Sequence, residues 1–171
     1  MRVPLEVVGL SKVYNKKEAV KDISFKVNKN EIIGILGPNG CGKTTTIGMI
    51  SGLLKPSKGE VLINGIEIET KRVELLDNLN FISPYIELPK KLTVKQNLII
   101  YGKLYSVKNL TERIDYLANK LRLNKFLNNI TGELSSGQKN RVSLAKSLIN
   151  DPKVLLLDEP TASLDLSLIH I

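Results

Sequence analysis

Residues 37–44 of this 171-residue chain read Gly37-Pro38-Asn39-Gly40-Cys41-Gly42-Lys43-Thr44, a fit to G-x-x-x-x-G-K-[ST]. Three glycines in six positions cannot continue a strand or begin a helix, so the segment must be a loop. The apolar run Glu31 to Leu36 before it reads as a strand, and Gly42 to Ile50 after it reads as a helix. In such a loop the glycines let successive backbone N–H groups turn inward around phosphate oxygens, and the helix start adds its positive end. Lys43 then reaches the β and γ phosphates, and the Thr44 hydroxyl is placed to ligate Mg²⁺, with Thr45 beside it. A chain that must accommodate a strand, a phosphate loop and a helix in that order belongs to the α/β class.

The rest of the chain supports that class. Val3 to Val8 and Ile23 to Val27 read as strands, and Val61 to Ile68 reads as a hairpin closed by Asn64-Gly65. Val94, Leu98, Tyr101 and Tyr105 recur at helical spacing, as do Ile114, Leu117 and Leu121, so residues from about 85 to 135 read as a helical subdomain. Ser136 to Asn150 reads as a further helix. Lys153 to Asp158 reads as a buried strand bounded by Pro152 and Pro160.

Composition narrows the function classes. The length suits one domain, and no apolar run approaches the roughly 20 residues that cross a bilayer. No secretory signal is visible at the N-terminus, and the single cysteine, Cys41, fits a reducing compartment, so a cytoplasmic location is expected. The 25 basic and 17 acidic residues give a net charge of +8, but the lysines are scattered and no block of five like charges occurs. A solvated surface accounts for them without a nucleic-acid partner.

Two further elements carry chemistry. The strand Val154-Leu155-Leu156-Leu157 ends in Asp158-Glu159, where ligands gather in an open sheet; Asp158 is the candidate metal ligand and Glu159 the candidate base for an attacking water. Leu134-Ser135-Ser136-Gly137-Gln138 precedes a helix, and by itself is an N-cap signal. Together with the loop at 37–44 and Ser163-Leu164-Asp165, these elements resemble the Walker A, signature, Walker B and D-loop motifs of ATP-binding-cassette ATPases. The resemblance covers residues 1 to about 165.

That resemblance implies a P-loop ATPase core with an N-terminal antiparallel β subdomain and an inserted helical subdomain, incomplete at its C-terminus. It implies ATP and Mg²⁺ as cofactors, Glu159 and Lys43 as catalytic residues, and a cytoplasmic face of the inner membrane as location. It implies two kinds of partner: transmembrane transporter subunits, docking near Pro84 to Gln96, and a second nucleotide-binding subunit arranged head to tail. In that dimer Ser135, Ser136, Gly137 and Gln138 would close over nucleotide held by the other subunit's P-loop. Tyr14 matches the aromatic residue that stacks on adenine. The motif wording looks more like exporters than importers. A translation-associated member and a nucleotide-binding fragment without turnover are the alternatives; repair members with long coiled coils do not fit the roughly ninety residues between Lys43 and Leu134.

The chain also departs from the family pattern. The glutamine expected near residue 84 is absent from Phe81-Ile82-Ser83-Pro84-Tyr85, leaving Ser83 or Tyr85 for its role, while Gln96 opens the next helix and is not expected to reach back. No switch histidine follows Glu159 at family distance, and His170 is too near. The tail Leu166-Ser167-Leu168-Ile169-His170-Ile171 agrees with one-frame translation of a transposon-end adapter, so residues 166–171 are expected to be non-native and the native protein to continue.

Overall fold

Asn15 and Lys16 both take positive φ, 45° and 69°, and turn strand β1 (Leu5–Tyr14) back onto strand β2 (Lys17–Val27). Two such residues give a turn whose twist matches the strands it joins, so the hairpin closes without glycine. The structure is a computed structural model that describes residues 3–71, 75, 77–83 and 87–158. It divides into two compact units, Met1–Leu79 and Asn80–Ile171.

In the first unit an antiparallel sheet has the order β2-β1-β3-β4, with β3 at Lys58–Ile63 and β4 at Ile66–Glu67. Asn64 and Gly65, φ 53° and 76°, close the expected β3–β4 hairpin. Pairing of Leu5 with Val27 and Ile63, and of Val7 with Phe25 and Val61, sets one register across three strands. Alternate residues then face one side, so Leu5, Val7, Val61 and Ile63 are buried; Leu10 is buried too, beyond a register shift after Val7, as are Ile47, Met49 and Ile50 of helix α1 (Lys43–Ile50). Each such side chain contributes about 1.5–3 kcal/mol relative to exposure.

The expected strand over Glu31 to Leu36 is not present. The segment is unpaired, with Ile32 74% and Leu36 92% exposed. A strand is held by its ladder, and among the described residues none pairs with this one, so its β-forming composition alone does not make it a strand.

The second unit contains strand β5 (Leu79–Ile82), helices α2 (Val94–Leu104), α3 (Leu110–Lys120) and α4 (Ser136–Leu148), and strand β6 (Val154–Leu157). Two single 3-10 turns, Asn124–Phe126 and Thr131–Glu133, join α3 to α4. The apolar stripes read from the sequence converge on one core of Val94, Leu98, Ile114, Leu117, Leu121, Val142 and Ile149, with Tyr101 and Tyr105 packed against it. Arg113 of α3 ties down the end of α4, donating to the carbonyls of Leu148 at 2.6 Å and Ile149 at 3.3 Å and to Asp151 at 3.0 Å. Strand β5 pairs with β6. Among the described residues no helix is long and apolar enough to cross a membrane.

Candidate nucleotide site

Gly42 is the hinge between loop and helix. Its φ of 98° is costly for any residue with a side chain, and a Cβ there would run into the Ala19 carbonyl and lie 2.9 Å from Val20. Helix α1 therefore starts against β2. The loop's own bonds are few: Cys41 N–H donates to the Pro38 carbonyl at 3.3 Å, and Thr46 N–H and Oγ1 donate to the Gly42 carbonyl at 2.8 and 2.9 Å. The first N–H groups of a helix have no intrahelical acceptor, so this end presents donors to an anion.

The Lys43 ammonium donates to the carbonyls of Gly37 at 2.8 Å and Pro38 at 2.9 Å. The cation is thus held beside the loop rather than out in solvent. Gly37, Pro38, Asn39, Gly40, Cys41 and Thr44 are exposed, while Thr45 is half-buried. Tyr14 ends β1 with 44% exposure and with Lys12 Nζ 5.2 Å from its ring centre. Its register partner is Lys17, close in sequence to the Ala19–Val20 segment against which Gly42 packs, so Tyr14 and the loop share one region of the first unit. An exposed aromatic ring, a cationic side chain and a donor-rich loop together suit a nucleotide's base and phosphates.

Asp158 and the 134–138 element belong to the second unit. Asp158 is 5% exposed and its N–H donates to the Ile82 carbonyl at 2.9 Å, which brings it alongside Ser83, itself buried. A carboxylate is a hard oxygen donor of the kind Mg²⁺ takes. Glu159, Ser163-Leu164-Asp165, Pro84, Tyr85 and the tail 166–171 with His170 lie outside the described residues.

At the start of α4 the N-cap signal is realised as a reciprocal box. Ser135 Oγ accepts from Gln138 N–H at 3.3 Å, and Gln138 Oε1 accepts from Ser135 N–H at 2.9 Å. Ser136 and Gly137 are exposed, and a Cβ on Gly137 would meet nothing within 4 Å. Gln96 forms the same kind of box with Thr93, at 2.8 and 3.1 Å, so it caps α2 and does not reach back.

Comparison with known proteins decides the family. The model of the ABC transporter family matches residues 20–162. The chain belongs to the ABC transporter family. It is 39% identical over 166 residues to the Nod factor export ATP-binding protein I of Rhizobium johnstonii (strain DSM 114642 / LMG 32736 / 3841), covering 95% of this chain and 53% of that one. It is 36% identical over 167 residues to the SkfA peptide export ATP-binding protein SkfE of Bacillus subtilis (strain 168), covering 95% and 68%. The structure of cbiO1 from Clostridium perfringens, part of the ABC transporter complex cbiONQ, superposes with a TM-score of 0.83 at 31% identity, covering 99% of this chain and 70% of that one. The fold is accordingly that of an ABC ATPase domain, and the chain spans about half the length of the first curated relatives it matches.

Two polar clusters had no sequence signal. Asn80 is buried, with its Nδ2 donating to Asn150 at 3.0 Å and its Oδ1 accepting from Lys146 at 3.4 Å; Lys146 also lies 5.2 Å from the Tyr101 ring centre. Burial pushes the Lys146 ammonium below the usual lysine range. Asn97, on the buried face of α2, is the second. Asparagine and lysine in helical patterns ordinarily mark the solvent side, so neither stood out.

Proposed function

We propose that this chain is the nucleotide-binding core of an ABC transporter subunit that binds and hydrolyses Mg-ATP to drive a membrane partner. The observation that carries this reading is the loop: Gly42 in a left-handed conformation at the start of α1, with the Lys43 ammonium bonded across Gly37 and Pro38. Residues 37–42 cradle the phosphates through backbone N–H groups, Lys43 offsets the charge of the β and γ phosphates, and Tyr14 stacks on adenine. Thr44 and Asp158 would hold the metal, and Thr45 belongs with the nucleotide-binding loop. Mg²⁺ held there would neutralise charge on the phosphate oxygens. Glu159 orients the attacking water and takes up its proton.

The Ser135–Gln138 element closes the nucleotide of a second, head-to-tail subunit. Support comes from Gly137: its side-chain direction is open among the described residues, so nothing in their packing calls for glycine within the first turn of a helix. Close approach by another molecule does. Residues 1–165 form the ATPase domain, those from about 85 to 135 its helical subdomain, and 166–171 a non-native tail. The subunit lies on the cytoplasmic face of the inner membrane, docking transmembrane subunits near Pro84 to Gln96 and taking no nucleic acid. Export is the direction favoured, because two of the relatives described above are named for export, of Nod factors and of a peptide.

The test is Glu159→Gln in the full-length subunit. The amide keeps the shape and removes the base, so the variant should bind ATP, dimerise and stall. Normal turnover in that variant would remove Glu159 from its role. Labelling of exposed Cys41 by a maleimide gives an independent check, since bound Mg-ATP should shield it.

A further inference from the structure

We infer that Asn97 is a positioning residue that sets the signature element Leu134–Gln138 from the loop Pro89–Thr93; the inference rests on the proposed role of that element in closing a nucleotide site. Asn97 is 1% exposed, and its Nδ2 donates to the Pro89 carbonyl at 3.1 Å, the Thr93 carbonyl at 3.2 Å and Thr131 Oγ1 at 2.9 Å. Two hydrogens serve three acceptors, so they are shared. The two carbonyls can only accept, which determines which way the amide faces.

Its Oδ1, also buried, has no hydrogen-bond partner among the described residues. A buried amide oxygen left unpaired is costly, and leucine with the same branching would avoid that cost. Packing alone therefore does not call for asparagine here. What the amide does that leucine cannot is fasten two loops to each other.

Those loops are otherwise joined by backbone bonds in both directions. Val94 N–H donates to Asn129 and Lys95 N–H to Leu127, at 3.1 and 2.8 Å; Thr131 N–H donates to Leu92 and Gly132 N–H to Lys90, both at 2.9 Å. A Cβ on Gly132 would stand 2.9 Å from the Lys90 carbonyl, so glycine permits this close approach. From Thr131 a single 3-10 turn leads to Leu134, which is buried, and then to Ser135, the cap of α4. With Thr131 fastened by Asn97 and Leu134 fastened by the core, the two residues between them, Gly132 and Glu133, leave no slack. A displacement of Pro89–Thr93 then reaches the signature cap directly.

Hydrogen–deuterium exchange on the chain and its Asn97→Leu and Thr131→Val variants tests this. Amides of 131–139 should exchange about tenfold faster in either variant, with no further gain in the double variant, while those of 142–148 keep their protection. Unchanged exchange at 131–139, or equal loosening of both segments, would overturn the inference by leaving Asn97 a core residue only. In the full-length subunit carrying Glu159→Gln, Asn97→Leu should weaken ATP-driven dimerisation about tenfold without changing the ATP affinity of the monomer, read at low protein concentration; undiminished dimerisation also overturns it. Failure of the parent Glu159→Gln subunit to bind ATP at all would instead count against the proposed function, and the exchange result would still decide the positioning role of Asn97.

Discussion

The Lys43 ammonium donates to the Gly37 carbonyl at 2.8 Å, so the one flexible cation of the phosphate loop is already oriented by the loop's own backbone. Lys43→Ala removes a charge-assisted bond worth about 1.5–3 kcal/mol, and ATP affinity should fall by about tenfold to a hundredfold. Fluorescence anisotropy of a labelled ATP analogue measures it. Undiminished affinity would remove this loop from nucleotide binding.

Two glycines should respond in opposite ways to alanine. Gly42 sits at φ 98° with the Ala19 carbonyl in the path of a Cβ, whereas Gly137 has open space. Gly42→Ala should cost more than about 1 kcal/mol and lower Tm by at least about 2–4 °C. Gly137→Ala should leave Tm unchanged or raise it, because alanine is the better helix former. Thermal unfolding of both variants, side by side, reads the contrast.

Arg113 is mostly buried and Asp151 is exposed, so their ion pair is the lesser part of what Arg113 does. Arg113→Met strips donors from the Leu148 and Ile149 carbonyls and should cost about 1–3 kcal/mol in urea unfolding. Asp151→Ala should cost less than about 1 kcal/mol. Equal losses in the two variants would show that the ion pair, and not the helix end, is what matters.

Burial holds the Lys146 pKa below 10.5 in the folded chain. Between the folded and unfolded values the unfolded chain binds more protons, so stability rises with pH there; below the folded value the penalty of burying the charge is fully present. Lys146→Met should therefore be more stable than the parent at neutral pH, with the advantage shrinking as pH rises toward 10.5. Chemical denaturation at several pH values checks the slope, and an advantage that grew with pH would contradict the burial argument.

Much of the candidate site could be read from residue order because its chemistry is local. A phosphate loop is defined by which neighbours are glycine, and both capping boxes by a hydroxyl three residues before a glutamine. Asn64-Gly65 likewise announced its hairpin, whereas Asn15-Lys16, which makes the same kind of turn without glycine, carried no comparable mark. The helical core followed from spacing, since Val94 and Leu98, or Ile114, Leu117 and Leu121, must share a face at 3.6 residues per turn.

The sequence by itself determined the elements whose cause lies within a few residues: the loop at 37–44, the helix starts at Ser135 and Thr93, and the apolar stripes. Tertiary structure alone decided what depends on a distant partner. Glu31–Leu36 has the composition of a strand but no described ladder, so it forms no strand and stays exposed. Asn97, Asn80 and Lys146 look like surface residues in the chain; Asn97 is buried where it bonds Thr131, and Asn80, on the strand from Leu79, is buried where it accepts from the half-buried Lys146. A hydrogen bond spanning 34 residues, such as that of Asn97 to Thr131, has no local periodicity to betray it; only the closed fold brings donor and acceptor within 2.9 Å.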